Sequence, residues 1–105
     1  NMPGAKLPRV SARESDFTFA AMQGVNFFQA NLKKALFTDA DLTRADFFSA
    51  NLQNTQFTGA NLRRATFTGA MIHGANFTGA RNLEDIEFQF AFTVGEPLGI
   101  QIKRP

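Results

Sequence analysis

The chain has 105 residues, 44% apolar and 19% charged, which suits one folded domain and leaves no apolar run near the ~18 residues a membrane span requires. It has no Cys and one His, which excludes disulfide staples, thiolate nucleophiles and the common structural zinc sites and leaves little room for a His-based catalytic pair. Eleven Lys and Arg against nine Asp and Glu give a net charge of +2, too weak for a nucleic-acid footprint.

Residues 1–14 hold Pro3, Gly4 and Pro8 and read as an N-terminal cap that covers the first rung irregularly. The chain opens Asn1-Met2, and a native start at Met2 would favour a cytoplasmic location.

From 15 to 80 the sequence repeats every five residues. One position is always large and apolar: Phe17, Met22, Phe27, Leu32, Phe37, Leu42, Phe47, Leu52, Phe57, Leu62, Phe67, Ile72 and Phe77. Two residues earlier stands a small one, Ala at eleven of the fourteen positions from 15 to 80, with Ser15, Val25 and Thr55 as exceptions. Between them, eight of thirteen residues are Asn or Asp. A period of five fits neither a continuous helix, where successive large residues would scatter around the axis, nor a straight strand, where each would flip faces. A chain that bends by a constant angle every five residues keeps both the small and the large residue on one axis. The intervening polar residue then points outward. Five of the eight Gly (Gly24, Gly59, Gly69, Gly74, Gly79) fall at the last place of a repeat, where the chain must turn.

Phe alternates with Leu, Met or Ile, so the composition recurs at ten and a three-sided coil would stack Phe on Leu. A four-sided coil of twenty stacks like on like. It also aligns Thr18, Thr38, Thr58 and Thr78, and sets Phe28 over Phe48. The expected fold is all-β: a quadrilateral parallel β-helix of about 3–4 coils.

The run Ala60-Asn61-Leu62-Arg63-Arg64-Ala65-Thr66-Phe67-Thr68-Gly69-Ala70, with Ala30-Asn31-Leu32 and Ala40-Asp41-Leu42, resembles the pentapeptide-repeat family, whose repeat reads A-(D/N)-L-x-x. The match covers 15–80 and reaches toward Ala5-Lys6-Leu7. It implies a right-handed winding, and the family supplies no common catalytic residues to place here.

The register breaks after Ala80, where Leu83 comes one place late. Residues 81–92 read as a capping segment, in part a short helix with Asn82 as its N-cap and Glu84, Asp85 and Glu87 in its first turn. Residues 93–105 read as a tail that packs along a wall as an edge strand or joins two protomers.

Phe28 and Phe48 occupy outward places one rung apart, and Phe19 a corner. With Arg44, Arg63 and Arg64 on one wall and its corner, they form the candidate interaction surface. The competing readings are a C-terminal tail laid over the rings and, for the arginines, a solvated face or an anion site. The Thr column invites an ice-binding reading, but its partner column is Asp16, Leu36, Gln56 and Asn76, not a second Thr row. His73 lies outward without a second ligand. Asp39, Asp41 and Asp46 sit on adjacent walls and share no cleft. No catalytic, cofactor or metal site is expected.

The sequence therefore points to a non-enzymatic structural or protein-interaction module. Its partner would be another protein or a second copy, met through the Phe28/Phe48 wall or the C-terminal end, with no nucleic acid bound. Similarity to topoisomerase-directed DNA mimics supplies the alternative, a modulator of gyrase. A net charge of +2 and a column of roughly 16 Å oppose it, because duplex mimicry needs a long acidic rod.

Overall fold

The computed structural model describes residues 1–83 and Gly99. Its backbone is a stack of square turns. Every fifth residue forms a parallel bridge to the residue twenty later, from Lys6 with Asn26 to Asn61 with Arg81. Each five-residue side from that of Leu7 to that of Phe57 makes the same three bonds with the next rung. On one side they are Leu7 N–H to the Asn26 carbonyl at 2.8 Å, Arg9 N–H to Phe28 at 2.7 Å, and Asn26 N–H back to Ala5 at 2.8 Å.

The corners explain the period. Residue n+3 donates its N–H to the carbonyl of large residue n, as Ala40 does to Phe37 at 3.1 Å, and the residue before it has positive φ. That combination defines a type II turn. All sixteen corners from Gly4 to Gly79 adopt it, six with Gly and ten with other residues such as Lys34 (φ 63°) and Arg44 (φ 61°). The turn is therefore imposed by the rung-to-rung ladder even where the side chain opposes it. At Gly59 a Cβ would meet the Asp39 carboxylate one rung below, an exposed side chain that can turn aside, so the φ of 70° is what favours Gly there.

The four walls are named here by their first large core residue: the Phe17, Met22, Phe27 and Leu32 walls. All large core residues from Met22 to Phe77 are fully buried, with the small residues lining the spaces between them. Phe rings stack along the column, Phe57 on Phe77 at 4.9 Å and Phe47 on Phe67 at 5.0 Å between centroids. Across the axis they meet edge to face, Phe47 with Phe57 at 5.7 Å and 81°. Both geometries are favoured by the ring quadrupole. Thr55 is the polar exception among the small residues, and its hydroxyl donates to the Leu32 carbonyl at 2.8 Å.

Two expectations require correction. Residues 1–14 are not an irregular cap. Lys6 and Ser11 bridge to Asn26 and Asn31, and Met2 N–H donates to the Ala21 carbonyl at 2.8 Å, so this segment is a regular rung whose register comes from the ladder. Phe17 is only half-buried: it stacks on Phe37 at 5.0 Å but belongs to the first rung, with no ring over its other face among the described residues. Asn82 has φ of 62° and its side-chain amide donates to Asn61 Oδ1 at 2.8 Å; most of the segment it is expected to cap lies outside the described residues.

The register persists to Arg81, which bridges Asn61, and Leu83 packs partly buried against the core. Residues 84–98 and 100–105, which hold most of the expected capping segment and nearly all the tail, lie outside the described residues. Gly99 sits on the end of the Phe17 wall. A Cβ there would stand 2.6 Å from the Thr78 amide nitrogen and 2.8 Å from the Phe77 carbonyl carbon.

Candidate interaction surface

Each wall shows two outward positions per repeat, flanking the inward large residue. The ladder uses the N–H groups of the bridging residue, the large residue and the corner, and leaves out that of the residue just after the large one. This leftover donor explains the Asn and Asp positions. Asn26 Oδ1 accepts from Phe28 N–H at 2.8 Å, Asp46 Oδ1 from Phe48 N–H at 2.9 Å, and Asn76 Oδ1 from Thr78 N–H at 2.9 Å. All eight Asn or Asp residues in this place from 16 to 76 make the bond. It is the local Asx turn these side chains favour. The sequence shows the residue preference but not which N–H it serves.

On the Phe27 wall, the residues capped in this way include Phe28 and Phe48. Their rings stack, centroids 5.5 Å apart and planes 11° from parallel. Phe28 is half-buried, whereas Phe48 keeps 39% of its surface exposed. Arg9, which the sequence reading missed, places its guanidinium carbon 5.6 Å from the Phe28 ring centre. Its Nε donates to Gln29 Oε1 at 3.1 Å. Extending the twenty-residue register back to residue 9, one coil before Gln29, would have exposed this neighbour.

The remaining candidates are dispersed. Arg44 and Arg64 are exposed at the corner between the Met22 and Phe27 walls, and Arg63 is exposed on the Met22 wall beside it. Phe19 is 76% exposed, at the corner diagonally opposite the one that holds Arg9 and Gln29. It therefore does not join the Phe28 pair in one surface. The arginines flank that pair across the width of its wall. Among the described residues these guanidinium groups form no ion pair.

Asp41, on the Met22 wall, is held by other groups. Gln23 Nε2 donates to Oδ2 at 2.7 Å, while the Thr43 hydroxyl and amide donate to Oδ1 at 2.7 and 3.1 Å. Burial pushes its pKa up, but these bonds and the charge of Arg81 outweigh burial and hold it below the ordinary value. Asp16 is likewise lowered by the Thr18 hydroxyl and amide. Among the described residues no group of three or more His, Asp or Glu could hold a metal, and no helix is long and apolar enough to cross a membrane.

Comparison with known proteins agrees with this architecture. The family model described as Pentapeptide repeats (8 copies) matches residues 26–64 and 45–81. Among solved structures, a pentapeptide repeat protein from the Arabidopsis thaliana thylakoid lumen is 29% identical with a TM-score of 0.70, the match covering 85% of this chain and 58% of that one. HetL, a pentapeptide repeat protein involved in heterocyst differentiation regulation in Nostoc, is 26% identical with a TM-score of 0.38, covering 81% of this chain and 47% of that one. QnrB1, a plasmid-mediated fluoroquinolone resistance protein, is 23% identical with a TM-score of 0.38, over 74% of this chain and 48% of that one. The chain thus spans about half the length of these structures. No curated protein sequence matches it.

Proposed function

Because the chain belongs to the pentapeptide-repeat family, we propose that it is a non-enzymatic module, wound right-handed in about 3–4 coils, that binds a protein partner or a second copy through the Phe28/Phe48 wall. The single observation behind this reading is the stacked aromatic pair standing outside a core already filled, with Phe48 at 39% exposure. Phe has no polar tip to engage water, so an outward stacked pair is poorly solvated and gains from being covered. The core supplies no alternative: large residues fill the axis from Met22 to Phe77.

The test compares the full chain with the Phe28→Ser/Phe48→Ser variant, in light scattering and in pull-downs from the source organism's lysate. Expected is a bound protein, or self-association, that the variant loses. A strict monomer with the same captured proteins before and after substitution overturns the reading. A gyrase supercoiling assay separates it from DNA mimicry, where inhibition would be independent of the two rings.

A further inference from the structure

We infer that the Phe28/Phe48 wall recognises a carboxylate-rich extended segment of a partner protein, one that rests apolar side chains on the ring edges and places Asp or Glu beside Arg9. This rests on the binding role proposed above and names the chemistry of the partner. The first support is ring orientation. Phe28 and Phe48 lie 11° from parallel, so their faces are turned toward each other along the column and their rims toward solvent. The rim of an aromatic ring is the positive part of its quadrupole, and the face is the negative part. Arg9 already stands over the Phe28 ring, so the cation-attracting face is occupied. At Phe28 a newcomer therefore meets the rim, which favours anions.

The second support is charge. Lys6 lies on the same wall, Arg9 at one of its corners, and Arg44 and Arg64 at the other. Asp46 is the sole acid on this wall among the described residues, and its Oδ1 is engaged by Phe48 N–H. No ion pair neutralises the cations among the described residues. Two copies pressed together on this wall would set like charges against one another, so a second copy fits less well than an acidic partner. Around the two rings, from Asn26 to Gln29 and from Asp46 to Ser49, every backbone N–H is taken by the ladder or an Asx turn, which leaves recognition there to side chains rather than to strand addition.

The experiment uses dye-labelled peptides of alternating Glu and Leu, and of alternating Lys and Leu, titrated with the full chain by fluorescence anisotropy. The Glu-Leu peptide is expected to bind and the Lys-Leu peptide not to. Affinity should fall roughly tenfold between low and high salt, as screened charges require. Arg9→Gln should weaken binding about threefold, and Phe28→Leu/Phe48→Leu about tenfold, with both variants keeping the wild-type urea midpoint. Equal binding of the two peptides, no binding of the Glu-Leu peptide, or binding untouched by these substitutions overturns the inference. If captured partners still depend on Phe28 and Phe48 while the Glu-Leu peptide does not bind, the acidic assignment falls and the proposed binding wall survives.

Discussion

Phe37 and Phe57, twenty residues apart in sequence, lie with ring centroids 5.4 Å apart and planes 5° from parallel. The same spacing carries Phe57 to Phe77 at 4.9 Å, while Phe47 and Phe67 close in edgewise at 5.7 Å each. Phe57 is thus enclosed by four rings, two above and below it and two across the axis.

Removing that ring should be severe. Phe57→Ala is expected to lower stability by about 3–5 kcal/mol, the usual loss for a buried Phe truncation. Phe57→Leu should cost less than half of that, since Leu already fills equivalent places on the neighbouring walls. Urea unfolding midpoints read both. Equal losses for the two variants would mean that ring stacking, not volume, dominates the core.

The Asx turns give a pair of opposite predictions. Asn26→Ala removes the acceptor of Phe28 N–H and should destabilise by about 0.5–2 kcal/mol, as loss of a comparable cap does. Thr66 holds the same place one rung beyond Asp46. Thr66→Asn should gain up to about 1 kcal/mol by capping Thr68 N–H. Thermal unfolding of the two variants in opposite directions is the expected result.

Corner conformation is testable by glycine exchange. Lys34 is exposed at φ 63°, so Lys34→Gly should stabilise by about 0.5–1 kcal/mol as relief of left-handed strain exceeds the added chain entropy. Gly59→Ala should destabilise by about 1 kcal/mol, from its φ of 70°. A neutral Gly59→Ala would show that the corner tolerates any residue.

Acid sensitivity follows from Asp41. Its folded pKa lies below the ordinary value, because the Thr43, Gln23 and Arg81 contributions exceed the effect of burial. A lowered pKa means that the carboxylate stabilises the fold fully above the unfolded value of about 4. That stability is lost as pH falls through the lower, folded value. Thr43→Val removes the hydroxyl donor, so the NMR titration midpoint of Asp41 should rise and acid unfolding should begin at higher pH. An unchanged midpoint would assign the hydroxyl no role.

The five-residue alternation of Phe with Leu was enough to set the four walls, because a coil of twenty stacks like on like whereas a coil of fifteen would stack Phe on Leu. The core residues from Met22 to Phe77 were legible for the same reason: each is large, apolar and in phase. The first rung was not, since Leu7 and Ala12 are a faint pattern amid Pro3, Pro8 and charged residues. There the backbone bonds to the second rung hold the register, and they leave no mark on side-chain identity. The Asn and Asp preference was visible, but its cause lies in which N–H the ladder leaves over. Arg9 over Phe28 and the separation of Phe19 from that pair depend on where each corner falls around the square. Periodicity along the chain decides what goes inside. What meets on the outside is decided between rungs, by contacts between residues twenty apart that only the closed coil brings together.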